Sequence, residues 1–106
     1  EFPEAHELQS GLQNIILRYN SLNDFVACEL ARVMLYDTYL KSLDLWNNVI
    51  KEKGVKEFVN ILKTNTSILN LDVWDNMGFN QVYHRKIAIK LLNNIWKAQQ
   101  NPNIDE

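Results

Sequence analysis

Apolar positions recur along this chain at a fixed interval. Leu40, Leu43 and Leu45, followed by Asn48, are answered 28 positions later by Ile68, Leu71, Val73 and Asn76, and 28 positions earlier by Leu12, Ile15, Leu17 and Asn20. Around Leu43 and Leu45 the apolar residues alternate with period two, which predicts a short strand with one face turned inward. After Gly54 the spacing changes. Val55, Phe58, Ile61 and Leu62 fall on one side of a helix while Lys56, Glu57 and Lys63 fall on the other. Each unit therefore reads as strand, turn and helix, and a unit of this size buries its apolar side only against copies of itself. Stacked units give a parallel sheet backed by helices, and the handedness preferred by strand–helix–strand crossovers makes the array a right-handed, curved one.

The three asparagines mark the turn after each strand. An inward amide there can satisfy backbone groups in the bend, as few other side chains can from a buried position. Asparagine is abundant in this chain, with fourteen copies. Three at an interval of 28 residues, each five residues after an apolar strand position, nevertheless define Asn20, Asn48 and Asn76 as structural turn residues.

These features resemble the leucine-rich repeat, in particular the longer-helix subtype represented by ribonuclease inhibitor, Ran GTPase-activating protein and tropomodulin. The stretch from Gly54-Val-Lys-Glu-Phe58 through Leu71-Asp-Val-Trp-Asp-Asn76 carries the resemblance best, and it extends over about residues 8–96. It implies an α/β leucine-rich-repeat solenoid of about three units of 28–29 residues, with the sheet on the concave face and helices on the convex face. The units span residues 12–39, 40–67 and 68–96. Residues 1–11 are the end of a preceding repeat or helix, and 97–106 form a polar tail containing Pro102. The third unit reads as one residue longer, because Ile87 and Leu91 answer Phe58 and Leu62 at a spacing of 29. The first helix lacks the glycine of the second, and Ser21 with Asp24 is expected to help cap it. No polar cap precedes the first strand, so its edge calls for further repeats upstream, for another chain, or for self-association.

Two shorter resemblances compete. Val73-Trp-Asp-Asn-Met-Gly-Phe79 with His84-Arg-Lys86 is similar to the last loop and helix of sterile-alpha-motif domains, which are all-helical. Met77-Gly78-Phe79 is similar to the ubiquitin-binding loop of ubiquitin-associated domains. Each covers under a third of the chain and leaves the 28-residue period unexplained.

Composition changes this picture little. The 106 residues are 46% hydrophobic and 23% charged with a net charge of −2, which gives no electrostatic reason to expect nucleic acid or an anionic membrane as partner. The longest apolar runs are too short to span a bilayer. A cytoplasmic setting is expected, since the single cysteine, Cys28, leaves no internal disulfide to form and leans toward a reducing compartment. Apolar neighbours Val26, Ala27, Leu30 and Ala31 make it read as a buried, inert thiol. His6 and His84 are far apart and lack further ligands at metal-binding spacing, and three glycines supply no phosphate loop. The chain opens Glu1-Phe2 without a methionine, so a removed targeting segment is compatible with it. Asn65-Thr66-Ser67 matches the glycosylation acceptor pattern, a match expected by chance in so asparagine-rich a chain. His84, Arg85, Lys86 and Lys90 read as a solvated basic face of the last helix. No catalytic constellation, cofactor or metal is indicated, and the chain reads as a non-enzyme.

The candidate site follows from the strand period. Residues between the inward positions face outward and stack in ladders: Asn14, Ser42, Asn70; Ile16, Asp44, Asp72; Arg18, Trp46, Trp74; and Tyr19, Asn47, Asp75. Trp46 and Trp74 flanked by Asp44, Asp72 and Asp75, with Arg18, Tyr19 and Asn47 beside them, are the expected partner-binding surface. Tryptophan and tyrosine are typical interface anchors, and carboxylates nearby favour a partner that brings Lys or Arg or an aromatic surface. The expected function is protein–protein interaction through the concave sheet face. The resemblance alone implies two alternatives, a GTPase-activating role and binding to the end of an actin filament.

Overall fold

The strand-and-helix alternation expected from the apolar pattern is what the chain adopts. The computed structural model describes residues 13–100, so expectations for residues 1–12 and 101–106 lie outside the described part. Strands β1 (Asn14–Ile16), β2 (Ser42–Asp44) and β3 (Asn70–Asp72) alternate with helices α1 (Asp24–Tyr36), α2 (Glu52–Ile61) and α3 (Gln81–Gln100). The strands form one parallel sheet in the order β1-β2-β3. Its register is the sequence period itself: Asn14 lies beside Ser42 and Ser42 beside Asn70, and likewise Ile15, Leu43, Leu71 and then Ile16, Asp44, Asp72. A parallel sheet is incompatible with the all-helical sterile-alpha-motif alternative, which is set aside.

The core is built from corresponding positions of successive units. Leu43, Leu45, Ile50, Val55, Phe58, Ile68 and Val73 are essentially sealed from solvent, with Ala27, Ala31, Met34, Leu62 and Ile87 around them. Helix α2 buries Gly54, Val55, Phe58 and Ile61, the stripe its spacing predicted. Helix α1 buries Ala27, Ala31 and Met34, at spacings of four and three, and the two alanines bring α1 and α2 close. At ~25 cal/mol per Å2, sealing one Phe or Leu side chain is worth about 2 kcal/mol, so this shared core is the main cohesive term.

Buried amides cross-link the units at the end of each strand. The Asn48 side chain accepts from the N–H groups of Asn20 and Leu22 at 2.9 and 3.0 Å and donates to the carbonyls of Leu17 and Leu45. Asn76 repeats the arrangement 28 residues later. It accepts from Asn48 and Ile50 at 3.1 Å and donates to the carbonyls of Leu45 and Val73 at 3.0 Å and of Trp74 at 3.2 Å. Asn20 departs from the expectation of an inward amide. It is exposed, and among the described residues its side chain donates only to Arg18 O, because no described unit lies before it.

A second ladder at the opposite end of the strands was not anticipated. Asp37, Asn65 and Asn94 stand at intervals of 28 and 29 residues. The Asp37 carboxylate accepts from Tyr39 and Leu40 N–H and so turns the chain out of α1. The Asn65 side chain holds Met34 O at 2.8 Å and accepts from Ser67 and Ile68, and Asn94 in turn donates to the carbonyls of Asn65 and Ile68. Asn65 is buried and its amide nitrogen is engaged, so its triplet is a turn and not a glycan site.

Helix starts correct a second expectation. Asn23, not Ser21, caps α1 by accepting from Val26 N–H, and Asn80 does the same for α3 with Tyr83 N–H. At the corresponding position of α2 stands Lys51, which makes no capping bond. Asp24 of the preceding unit supplies it, accepting from the N–H groups of Lys51 (2.6 Å) and Gly54 (3.2 Å). The glycine suits this close packing, since a Cβ on Gly54 would lie 2.6 Å from Ile50 Cγ2, 2.8 Å from the Asp24 carboxylate and 2.9 Å from Ala27 Cβ.

The extra residue of the third unit sits in the turn after Asn76. Val49 N–H bonds Leu22 O, and the equivalent bond one unit on comes from Gly78 to Ile50 O, a donor spacing of 29 where the asparagines keep 28. Gly78 passes so close to the start of α2 that a Cβ would meet the Lys51 and Glu52 backbone at 2.0–2.3 Å. That approach accounts for the glycine of the Met77-Gly78-Phe79 triplet on structural grounds. Helix α3 runs on through Lys97–Gln100, four residues past the expected unit boundary. No described helix is both long and apolar enough to cross a membrane.

Replacing Asn76 with alanine strands two N–H groups and several carbonyls in a buried turn and should lower unfolding free energy by roughly 2–4 kcal/mol. Asn20→Ala should stay within about 0.5 kcal/mol of the parent. Urea denaturation of the two variants measures the contrast. Gly78→Ala should cost about 3 kcal/mol or more in the same assay, because backbone on backbone has nowhere to move.

Candidate binding face of the sheet

The turns that follow the strands gather the ladder residues on one side, and most of them hold local structure as well. Asp44 and Asp72 accept from the N–H groups of Trp46 and Trp74 at 3.1 and 3.0 Å, tight turns that aim the two indoles. Tyr19, Asn47 and Asp75 all have left-handed backbone, with φ of 58°, 54° and 61°. Asparagine and aspartate tolerate that conformation better than tyrosine does, and Asn47 donates its amide to Asp75 across the unit boundary.

Asp44 differs from expectation. It is only 8% exposed, and besides Trp46 N–H it takes the Arg18 guanidinium nitrogen Nε at 2.5 Å. Its charge is therefore satisfied within the fold rather than offered to a partner. Arg18 itself stays about half exposed and also lies over the Trp46 ring, 5.8 Å from the centroid. Tyr19 meets Trp46 edge-on at 5.2 Å, so Arg18, Tyr19 and Trp46 form one group.

Trp74 forms another group. Its ring packs at 4.7 Å against Phe79 and at 4.8 Å against His84, and Phe79 and His84 also touch. This ties the turn after β3 to the first turns of α3. Among the described residues the two tryptophans do not stack on each other; each stacks with its own neighbours. Trp46 is half-buried, while Trp74 is 48% exposed and Tyr19 66% exposed, and Ile16 on β1 is also open to solvent. The expected residues are thus brought together as two aromatic groups, with Asp44 buried, Asp72 half-buried and Asp75 the exposed carboxylate. Phe79 and His84 belong to the surface and were not singled out, because they come from the loop and helix and not from the strand ladder.

No reaction chemistry is evident in the arrangement. Among the described residues, no group of three His, Cys, Asp or Glu side chains is placed to hold a metal, and no buried polar side-chain atom lacks a partner. Cys28 is half-buried rather than fully buried, in a groove between α1 and α2 with Asp24, Glu29, Lys53 and Glu57. Partial burial, helped by the Glu57 carboxylate and opposed by Lys53, pushes its thiol above the ordinary range.

Comparison with known proteins fits the architecture. No family model matches the chain. Over 89 residues, 83% of this chain, it is 30% identical to the human centrosomal protein of 78 kDa, and over the same length 33% identical to that protein of Xenopus tropicalis. The chain spans only 13% and 12% of the length of these two relatives. Among solved structures, leiomodin-1 actin-binding site 2 superposes with a TM-score of 0.61 at 18% identity, covering 88% of this chain and 69% of that one. The tropomodulin C-terminal domain of Caenorhabditis elegans gives 0.52 at 9% identity, covering 92% and 94%. At such identities the likeness is one of fold.

Because the folded-state thiol pKa is raised, Cys28 stays protonated to higher pH than a free cysteine. Its reaction with a disulfide reagent should be slower than that of the urea-unfolded chain at neutral pH. The rate should climb only once the pH passes the ordinary cysteine range, as stopped-flow absorbance will record. A fast reaction near neutral pH would contradict the assignment of an unactivated thiol. The fold these comparisons share with the chain is leucine-rich-repeat-like, three strand–helix units whose parallel strands lie side by side.

Proposed function

We propose that this chain is a non-enzymatic protein-interaction module of the ribonuclease-inhibitor-like leucine-rich-repeat subtype. In this reading its three units belong to a right-handed solenoid with the sheet on the concave side. The observation that carries the proposal is the partly exposed aromatic surface at the strand ends, open at Tyr19 and Trp74. Tyr19, Trp46, Trp74 and Phe79 lie there, with Arg18 and His84 at their edges, although burying such side chains is worth more than leaving them in water. Asp44 is nearly buried and paired with Arg18, so the partner is recognised chiefly through aromatic and apolar contact, with Asp72, the more exposed Asp75 and the half-exposed Arg18 as charges at its edge. A partner carrying an aromatic or basic surface fits, and nucleic acid does not. The similarity to a centrosomal protein supports a cytoplasmic, cytoskeletal setting.

A second reading is favoured by the structural neighbours. The leiomodin domain is an actin-binding site by its description, and this chain covers 69% of it. Under that reading the same face engages actin.

Both readings are tested with the 106-residue chain and its Trp46→Ala/Trp74→Ala variant. Pull-down from a cell extract followed by mass spectrometry should recover a protein with the parent and lose it with the variant. Actin cosedimentation and elongation assays separate the actin reading from the general one. Melting temperature should fall by only a few degrees in the variant, given how much of Trp74 is already in water. Equal capture by parent and variant would sink the proposal, and wholesale unfolding of the variant would reassign the pair to the core.

A further inference from the structure

The helix side of the molecule carries a second surface whose chemistry is opposite to that of the whole chain. Between α2 and α3 runs an open groove of about 530 Å3 lined by Lys56, Val59, Asn60, Lys63, Tyr83, Lys86, Ile89 and Lys90. Lys56 stands on α2 and Lys63 in the turn just past its end, while Lys86 and Lys90, four apart, share one face of α3. Four ammonium groups thus line one trough, in a chain whose net charge is −2.

Only Lys56 is paired. It meets Glu52 at 2.9 Å, a contact that lowers the Glu52 pKa and raises that of Lys56. Among the described residues Lys63, Lys86 and Lys90 make no ion pair. Between the lysines the lining is mostly apolar, with Val59, Ile89 and the Tyr83 ring beside Asn60. Val59 and Tyr83 rest on the core, whereas Ile89 is 60% exposed. Basic rims around an apolar centre, between two helices, match an amphipathic helix with acidic flanks.

We propose that the α2–α3 groove docks an acidic amphipathic helix of a partner protein. The apolar side of that helix covers Ile89, Val59 and Tyr83, and its Glu or Asp side chains meet Lys63, Lys86 and Lys90. Nucleic acid and anionic lipid are disfavoured by the apolar lining and by the negative charge of the rest of the chain. The surface is separate from the aromatic face of the sheet, so the two proposals stand or fall independently.

The test uses the full chain and a fluorescein-labelled helical peptide of about 14 residues, roughly four turns, with leucines on one side and glutamates on its flanks. Anisotropy titration should show saturable binding that weakens as salt rises. Lys63→Glu/Lys86→Glu, at two exposed positions, should weaken it by about tenfold or more with an unchanged circular dichroism spectrum. A peptide with lysines in place of the glutamates should prefer that variant over the parent. The Trp46→Ala/Trp74→Ala variant should bind the acidic peptide as the parent does. Amide chemical-shift changes should map to residues 56–63 and 83–90. No binding by the parent, equal binding by the charge-reversed variant, or shift changes mapping elsewhere would overturn the proposal. So would tighter binding of a DNA duplex or of phosphatidylserine vesicles than of the peptide.

Discussion

Two buried carboxamides hold this fold in register. Asn48 and Asn76 each bind backbone groups of their own unit and of the one before. Three-residue strands contribute few ladder bonds, and a sheet made of them would slip easily. The amides resist slippage because each ties backbone of its own unit to backbone of the unit before it. Apolar burial supplies most of the cohesion, and the amides supply its alignment. An asparagine side chain suits the task since it donates and accepts at once within a turn that exposes both kinds of backbone group.

That alignment is also what places the proposed binding face. Side chains two residues apart on a strand share a side, so once the register is set, Asp44 lies beside Asp72 and the following turns present Trp46 and Trp74 in parallel. The left-handed residues Tyr19, Asn47 and Asp75 stand directly before the turn asparagines and set the direction in which the chain leaves the strand. Residues that hold the fold and residues proposed for recognition therefore share the same short stretch.

Much of the fold was legible because a repeat converts weak local signals into a strong periodic one. The strand positions, the stripe on α2, the turn asparagines and the longer third unit all follow from the interval. The second ladder was equally periodic, with Asn65 and Asn94 at the same 29-residue offset as Phe58 and Ile87, yet Asn65 read as part of a chance acceptor triplet. What the period could not reveal was chemistry that crosses it. The charge of Asp44 is taken up by Arg18, 26 residues away, and Asp24 caps the next unit's helix instead of its own. Phe79 and His84 join Trp74 across an irregular loop. Such contacts depend on side-chain reach between unlike positions, and a pattern of like positions is silent about them.

Asp24 has a consequence for how interchangeable these units are. Helix α2 has no acceptor of its own at Lys51 and borrows one from the unit before, with Gly54 kept bare to make room. The second unit is therefore not a self-sufficient module. Transplanted behind a foreign repeat, it would carry a lysine where a cap belongs and a helix start without its acceptor. The smallest portable piece of this array is a pair, and its seam lies inside what the period presents as one unit.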